Sequence, residues 1–228
     1  MKEPIIISLG GSLIVPKTGI DFGFLKKFKK AIDEMTSQGY RFILICGGGM
    51  TARNYQSSAK KVIKLTRDDL DWLGIHATRL NAHLVRTIFR DTAHPVIVKN
   101  PTVKLNFKEK VLIGCGWKPG CSTDYDAVLL AKLYNAKKVI NLTNIDYLYN
   151  KNPNIYKDAE RILEIDWKGF RKIVGDKWDP GANVPFDPIA SREAQKLGLE
   201  VILANGKKIK NLENIVKGGK YIGSRVFG

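Results

Sequence analysis

Buried apolar strands that run directly into glycine or hydroxyl turns restrict the fold of this chain more than any other feature of its sequence. Helical patterns separate most of these strands, and repeated strand–helix alternation with buried strands predicts an α/β fold, a mainly parallel sheet with helices on both faces. The four turns are Gly10-Gly11-Ser12, Gly47-Gly48-Gly49, Gly114 to Thr123, and Thr143-Asn144.

These turns have a common chemical use. In an open parallel sheet, the turns that follow the strands gather at the C-terminal edge, where ligands bind. Glycines let a ligand reach the main chain, and the amides and dipole at a helix start favour negative charge. The four turns together therefore indicate a pair of polyanionic substrates, although a single glycine turn often ends a strand for steric reasons alone.

The composition limits the class of protein. The 228 residues, 44% hydrophobic and 26% charged, fit one large globular α/β domain. The sequence has no apolar run of the roughly 20 residues that span a membrane and no signal-peptide pattern, and its three cysteines lack a C-x-x-C pair. We therefore expect a reduced, cytoplasmic protein with no membrane partner.

The charge is strongly basic, with 38 lysines and arginines against 22 acids and a net charge of +16. Such a surface attracts anions, including phosphates and nucleic acids. The lysines, however, occur as short pairs spread along the chain, without a basic tail or an aromatic-interleaved RNA motif. The pattern favours small phosphate substrates and argues against nucleic acid.

Two common phosphate motifs are missing. The sequence has no G-x-x-x-x-G-K-[ST] segment, which excludes a P-loop kinase. The segment Gly114 to Gly120 nearly matches G-x-G-x-x-G, but its spacing differs and Pro119 interrupts it, which argues against a dinucleotide oxidoreductase. The three histidines and three cysteines lack metal-ligand spacing, and Cys121 has no evident activating partner.

Three charged residues are candidates for the chemistry. Arg53 follows the triple glycine, where a guanidinium can grip phosphate oxygens with two hydrogen bonds. Asp124 and Asp146 each lie just past a strand end, and Mg²⁺ usually takes one or two carboxylates plus phosphate oxygens. The structural alternatives are a surface arginine, a helix cap at Asp124 and a turn at Asp146.

Several element boundaries can also be predicted. Asp21 can cap a helix over Phe22 to Ser37, and a capping-box variant at Thr66 begins a long helix that reaches Phe89. A short strand is expected at Val96-Ile97-Val98, a hairpin or lid-like loop over Asp146 to Lys157, and a final edge strand at Tyr221-Ile222.

The chain carries an ordered set of five motifs. They are Gly10-Gly11-Ser12, Gly47-Gly48-Gly49-x-x-Ala52-Arg53-x-Tyr55, Asp71-x-x-Gly74-Ile75-x-Ala77-Thr78-Arg79-x-Asn81-Ala82, Pro119-Gly120-x-Ser122-Thr123-Asp124 and Thr143-Asn144-x-Asp146-x-x-Tyr149. This set resembles the motifs of the UMP kinases in the amino acid kinase superfamily, and most closely those of the archaeal-type branch. The likeness covers nearly the whole chain with order and spacing intact.

The resemblance implies a three-layer αβα sandwich that transfers the γ-phosphoryl group of Mg-ATP to UMP. It implies one domain over 1–228, with an acceptor-binding half over 1–142 and a nucleotide-binding half over 143–228, in a homo-oligomer that is commonly a hexamer built from dimers. The catalytic residues would be Arg53, Asp124 and Asp146; the ATP-binding residues Gly10, Gly11, Gly49, Arg53, Thr143, Asn144, Tyr149 and Asn152; and the UMP-binding residues Gly48, Asp71, Lys118, Pro119, Gly120, Cys121, Ser122, Thr123 and Asp124.

The chain departs from the family pattern at several positions. Ser8 stands where many members carry a lysine, Tyr147 replaces a glycine, and Asn152 replaces an aspartate. The late M-x-x-K lysine is also not evident, so Lys118 or a lysine of the segment 150–160 could supply its charge. Two alternatives remain open: a kinase of another small phosphate or carboxylate, and a non-catalytic nucleotide- or oxyanion-binding protein.

Overall fold

A computed structural model describes residues 3–151, 153, 155–175 and 184–228 of the chain. Within these residues, one seven-stranded sheet and a two-stranded hairpin are flanked by helices. The strands are β1 Ile5–Leu9, β2 Phe42–Cys46, β3 Val111–Gly114, β4 Lys138–Thr143, β5 Leu148–Tyr149, β6 Arg161–Ile162, β7 Glu164–Asp166, β8 Glu200–Asn205 and β9 Ser224–Phe227. The helices are α1 Gly11–Ile14, α2 Phe22–Ser37, α3 Gly49–Val62, α4 Arg67–Ile88, α5 Thr123–Leu133, α6 Trp167–Val174, α7 Pro188–Lys196 and α8 Ile209–Lys217.

The large sheet has the order β3-β2-β1-β4-β8-β9-β7. Its first five strands are parallel, β9 runs antiparallel to β8, and β7 is parallel to β9. The chain builds outward from β1 to β3 and then returns to the other side of β1 with β4. This reversal of strand order opens a crevice at the C-terminal ends of β1 and β4, which is the usual ligand position in such sheets.

Helices cover the sheet on both faces, as predicted. Alternate residues of one strand pack into different cores: Leu44 of β2 lies in one buried cluster, while Ile43 and Ile45 lie in the other. The first core includes Phe28 of α2, and the second includes Trp167 of α6. The result is a three-layer αβα sandwich with two hydrophobic cores separated by the sheet.

The predicted helix starts are confirmed by their caps. The Asp21 side chain accepts a hydrogen bond from the Phe24 amide at 2.8 Å at the start of α2. Thr66 and Asp69 form a reciprocal capping box at the start of α4. A hairpin does begin after Asp146, where β5 pairs antiparallel with β6, but β6 lies beyond Lys157, the predicted end of this segment.

Two predicted strands are wrong, and in both cases a side chain takes the backbone group that a ladder would need. At Val96-Ile97-Val98, only Val98 forms an isolated bridge, because the Val96 amide donates to Nδ1 of His94 at 3.0 Å. At Tyr221-Ile222, both backbone groups of Ile222 bond to the Asn211 side chain, at 2.6 and 2.7 Å. The final strand is instead β9, which lies between β8 and β7 rather than at an edge.

None of the helices in the described ranges is long and apolar enough to cross a membrane.

Candidate active site

The turns after β1 and β2 touch each other through their main chains. A Cβ built on Gly11 would lie 2.1 Å from the Gly49 nitrogen, and one built on Gly47 would lie 2.5 Å from the Gly11 nitrogen. Gly49 also has a φ of +59°, which L side chains rarely adopt. Only glycine fits these positions, so backbone alone forms the wall between the two turns.

Asn81 on α4 holds the triple glycine in place. Its buried side-chain amide donates to the Gly47 carbonyl at 2.8 Å and to the Gly48 carbonyl at 3.0 Å. Both carbonyls are therefore drawn toward α4. The sequence contains Asn81 within a recognised motif, but periodicity alone did not assign it this role.

A cavity of about 220 Å³ opens beside the triple glycine. It is lined by residues from α3, α4 and the segment between β3 and α5, so three separate parts of the first half of the chain form it. Of the predicted site residues, it brings together Gly48, Gly49, Arg53, Asp71, Cys121, Ser122 and Thr123. It also uses residues that the prediction missed, namely Ala52, Gln56, Leu70, Gly74, Ile75, Thr78 and Gly116.

The remaining predicted acceptor residues do not line this cavity. The Gly120 amide donates to Oδ2 of Asp71 at 2.7 Å, which ties the loop before α5 to α4. The Lys118 ammonium lies 4.1 Å from the centre of the Trp117 ring. Pro119 does not line the cavity either. Arg53, which does line it, is exposed, and its Nη1 lies 3.9 Å from the Met50 sulfur.

Asp124, in the first turn of α5, faces the β1–β4 crevice. Its Oδ1 accepts hydrogen bonds from the Ser8 hydroxyl at 2.9 Å and from the Asn141 amide at 3.4 Å, and its Oδ2 accepts from the Asp187 backbone at 3.2 Å. Burial, together with the neighbouring carboxylate of Asp187, raises the pKa of Asp124 to about 7. The carboxyl group is thus poised to change charge near neutral pH.

Two further buried acids accompany Asp124, and sequence reasoning did not select them. Oδ1 of Asp187 caps α7 by accepting from the Ala190 amide at 2.6 Å, and burial raises the pKa of Asp187. Oδ2 of Asp126 accepts from the Trp117 amide at 3.2 Å, and burial raises the pKa of Asp126 to about 8. The sequence does contain a signal for Asp187: Asp187-Pro188 precedes a helical pattern, and aspartate is common at a helix cap and proline at the first helical position.

Asp146 lies at the same sheet edge but in a different environment. It accepts hydrogen bonds from the Asn205 amide at 3.0 Å and from the Lys208 ammonium at 2.7 Å. The Lys208 hydrogen bond holds the pKa of Asp146 below its usual range, so this carboxylate stays ionised. Lys208 is a cation that the sequence did not single out, because 62 residues separate it from its partner.

Three of the predicted ATP-binding residues, Gly10, Gly11 and Thr143, lie at the ends of β1 and β4, whereas Gly49 and Arg53 belong to the first turns of α3. A Cβ on Gly10 would lie 2.6 Å from the Leu142 carbonyl, and the Gly206 amide donates to the Thr143 carbonyl at 2.9 Å. Gly11 follows Gly10 and forms the main-chain contact with Gly49. Asn144 is exposed, and Tyr149 lies in the β5–β6 hairpin. Asn152 lies outside the described residues.

The other candidate groups do not form a site. Burial raises the pKa values of Cys115 and Cys121 to about 11, and it raises that of Cys46 as well, so these thiols are poor nucleophiles near neutral pH. Within residues 3–151, 153, 155–175 and 184–228, no three His, Cys, Asp or Glu side chains form a group that could hold a metal ion.

Comparison with known proteins identifies the family. The sequence model of the Amino acid kinase family matches residues 3–205. The chain belongs to the amino acid kinase family, and its parallel sheet, glycine turns and edge crevice agree with that membership.

Within the family, several relatives that the chain resembles are named as uridylate kinases. It is 34% identical over 224 residues to one from Thermoplasma volcanium, covering 96% of this chain and 95% of that protein. It is 29% identical over 229 residues to one from Hyperthermus butylicus, covering 100% and 99% of the two chains. The crystal structure of uridylate kinase from Archaeoglobus fulgidus matches with a TM-score of 0.81 and 28% identity, covering 98% of this chain and 99% of that one.

Proposed function

We propose that this protein is a UMP kinase, which transfers the γ-phosphoryl group of ATP to UMP and yields UDP and ADP. The observation that carries the proposal is the main-chain contact between the Gly10-Gly11 and Gly47–Gly49 turns beside the cavity at Gly48, Asp71 and Thr123. This arrangement provides two adjacent anion-binding positions, one on each side of the contact. Relatives over the whole chain length carry the name of the same activity.

The two halves of the chain divide the substrates in this proposal. Residues 1–142 hold UMP in the cavity beside the triple glycine, and residues 143–228 hold the nucleoside end of ATP. The ATP phosphates lie along Gly10, Gly11 and Gly49, so the transfer takes place where the halves meet. One continuous sheet runs through both halves, which keeps the two substrates in a fixed relative position.

The chemistry needs alignment and charge neutralisation more than covalent help. An ionised phosphate oxygen of UMP attacks the γ-phosphorus of ATP, the bond from that phosphorus to the β–γ bridging oxygen breaks, and ADP leaves with the electron pair. No general base is required, because the attacking oxygen carries no proton. Glycine-turn amides and the Arg53 guanidinium stabilise the charge on the transferring group.

Mg²⁺ enters with ATP as part of the substrate in this proposal. Mg²⁺ is commonly bound by one or two carboxylates together with phosphate oxygens, and it keeps several waters. Asp124 and Asp146 are the two predicted carboxylates at the sheet edge where the phosphates would lie. Asp146 is ionised but engaged by Lys208, so a metal contact there would compete with the ammonium group.

The test is ADP formation with Mg-ATP against a panel of UMP, dUMP, CMP, isopentenyl phosphate and carbamate. We expect the highest kcat/KM with UMP. Turnover of another acceptor with none of UMP would replace the proposed substrate. No turnover with any member of the panel, combined with tight ATP or UMP binding by calorimetry, would favour a nucleotide-binding protein without kinase activity.

We also propose a homo-oligomer built from dimers, of up to six chains, which acts in the cytoplasm in pyrimidine nucleotide synthesis. Apolar side chains exposed on α3 and α4 support the oligomer: Tyr55 and Leu80 are 63% and 61% exposed and line a cavity of about 260 Å³ with His76. The three free cysteines support a reducing compartment.

Light scattering tests the oligomer proposal. Leu80→Lys is expected to lower the mass in solution, while Phe22→Lys, a change at another exposed apolar side chain on α2, leaves it unchanged. A wild-type chain that is monomeric at micromolar concentration would overturn the oligomer proposal.

A further inference from the structure

Both backbone groups of Trp117 are held by side chains from different helices. The Trp117 amide donates to Oδ2 of Asp126 on α5 at 3.2 Å. The Trp117 carbonyl accepts from Nη2 of Arg79 on α4 at 3.2 Å. Trp117 belongs to no strand or helix, so these two side chains supply the hydrogen bonds that a regular element would otherwise provide.

Trp117 lies inside the segment that borders the predicted acceptor cavity. We call residues 116–121 the acceptor loop; its two ends, Gly116 and Cys121, line the cavity, whereas Trp117 does not. The Thr78 hydroxyl accepts from the Gly116 amide at 2.8 Å, and Asp71 accepts from the Gly120 amide at 2.7 Å. The two hydrogen bonds to Trp117 therefore belong to a set of four between helical side chains and the main chain of this loop.

The two side chains that hold Trp117 carry an energetic cost within the fold. Asp126 is 1% exposed and its Oδ1 has no hydrogen-bond partner, although it lies within α5 among apolar neighbours such as Ala127 and Val128. Nε of Arg79 is also buried without a partner. A buried polar atom that lacks a partner destabilises the folded state, so an apolar residue would serve packing better at either position.

We infer that Arg79 and Asp126 are positioning residues for the acceptor, which hold Trp117 so that the acceptor loop keeps the shape that binds UMP. This inference rests on the proposed function. Neither side chain needs to touch UMP, because each acts through the Trp117 backbone and through the cavity-lining residues Gly116 and Cys121. Loss of either hydrogen bond should therefore weaken the binding of UMP and leave the binding of ATP unaffected.

Two substitutions at Asp126 separate positioning from packing. Asp126→Asn has nearly the same shape and keeps an acceptor oxygen for the Trp117 amide, whereas Asp126→Ala removes it. We expect Asp126→Ala to raise the KM and Kd for UMP by about tenfold or more, since small displacements of positioning groups commonly have effects of this size or larger. Asp126→Asn should keep both values within about threefold of wild type, and the KM for ATP should change less than about twofold in either variant.

A second pair of variants covers the case in which Asp126→Ala does not fold. Arg79→Met keeps the apolar stem of a half-buried residue and removes the donor to the Trp117 carbonyl. Arg86→Met is the matched control, because Arg86 is a half-buried arginine on the same helix whose Nε is likewise buried without a partner. We expect only Arg79→Met to raise the KM for UMP and to speed hydrogen exchange at the Trp117 amide.

The outcomes distinguish this inference from the proposed function. A wild-type protein that neither binds nor phosphorylates UMP overturns both. An active wild type whose Asp126→Ala and Arg79→Met variants keep the wild-type KM for UMP overturns only the positioning inference. The positioning inference alone is also overturned if Asp126→Asn and Asp126→Ala raise the KM for UMP equally, or if the KM values for ATP and UMP rise together.

Discussion

The Ser8 hydroxyl donates to Oδ1 of Asp124 at 2.9 Å and so joins the end of β1 to the first turn of α5 across 116 residues of sequence. Many members of the superfamily that the sequence resembles carry a lysine where this chain has Ser8. A hydroxyl brings no positive charge to Asp124. Burial and the carboxylate of Asp187 raise the pKa of Asp124, and they outweigh the hydrogen bonds from the Ser8 hydroxyl and the Asp187 amide, which lower it.

The raised pKa of Asp124 makes a stability prediction. The value is about 7 in the folded chain against an ordinary value of 3.8, so the contribution of the protonated group is fully present below pH 3.8 and is lost as the pH rises through 7. Asparagine stays neutral throughout. Asp124→Asn is therefore expected to raise the melting temperature more at pH 8 than at pH 5, with a difference of at least about 2 °C in calorimetry.

The same substitution should impair UMP use. Asp124 lies next to Ser122 and Thr123 at the edge of the acceptor cavity, where its charge can act on the substrates. We expect a lower kcat/KM for UMP in a variant that is at least as stable as wild type at pH 8. Unchanged KM and kcat values would remove Asp124 from the site, and an equal melting shift at both pH values would refute its raised pKa.

Arg53 supplies the positive charge at the start of α3. Arg53→Ala is expected to lower kcat/KM by about 100-fold or more, since loss of one donor that acts in the transition state has an effect of this order. Because Arg53 is exposed, melting temperature should hardly change. Steady-state assays of ADP formation measure the effect, with Arg90→Ala, at another exposed arginine, as control. A rate near that of wild type would exclude Arg53 from catalysis.

The contact between the glycine turns makes a paired prediction. Gly11→Ala would place a Cβ 2.1 Å from the Gly49 nitrogen, so the two turns must separate and both stability and activity should fall sharply. Gly23→Ala, on α2, meets nothing nearer than an Asp21 oxygen at 3.4 Å, and alanine favours a helix by up to about 1 kcal/mol. Thermal unfolding and UMP kinase assays of both variants would check this contrast, which equal behaviour would contradict.

Lys208 is expected to contribute to the binding of ATP rather than of UMP. Its ion pair with Asp146 joins side chains that are 41% and 37% exposed, and such pairs contribute less than about 1 kcal/mol to stability. Lys208→Ala should therefore keep the melting temperature within about 2 °C while raising the KM for ATP several-fold. Lys217→Ala, on the exposed end of α8, is the control. An unchanged KM for ATP would mean that Lys208 only neutralises Asp146.

The sequence predicted those features that arise from local pattern. Apolar runs ending in glycine identified β1 and β2, and the capping residues Asp21 and Thr66 identified the starts of two long helices. Since parallel strands present their C-terminal ends at one edge, the position of the main turns followed directly.

Features that depend on distant partners were missed. Asp187 approaches Asp124 across 63 residues, and Lys208 reaches Asp146 across 62. No local spacing encodes such pairs. Asn211 similarly took the backbone groups of Ile222 and displaced the final strand toward the C-terminus. Competition between side chains and backbone decides these positions, and it becomes visible only after the chain has folded.

The backbone wall between Gly11 and Gly49 has a consequence for engineering. Because no side chain lies between the two turns, their separation cannot be tuned by ordinary substitution. The groups open to redesign are those on the far side of the cavity, on α4 and residues 116–121. A graft confined to those two segments should exchange one acceptor for another while the transfer geometry is inherited intact from the recipient chain.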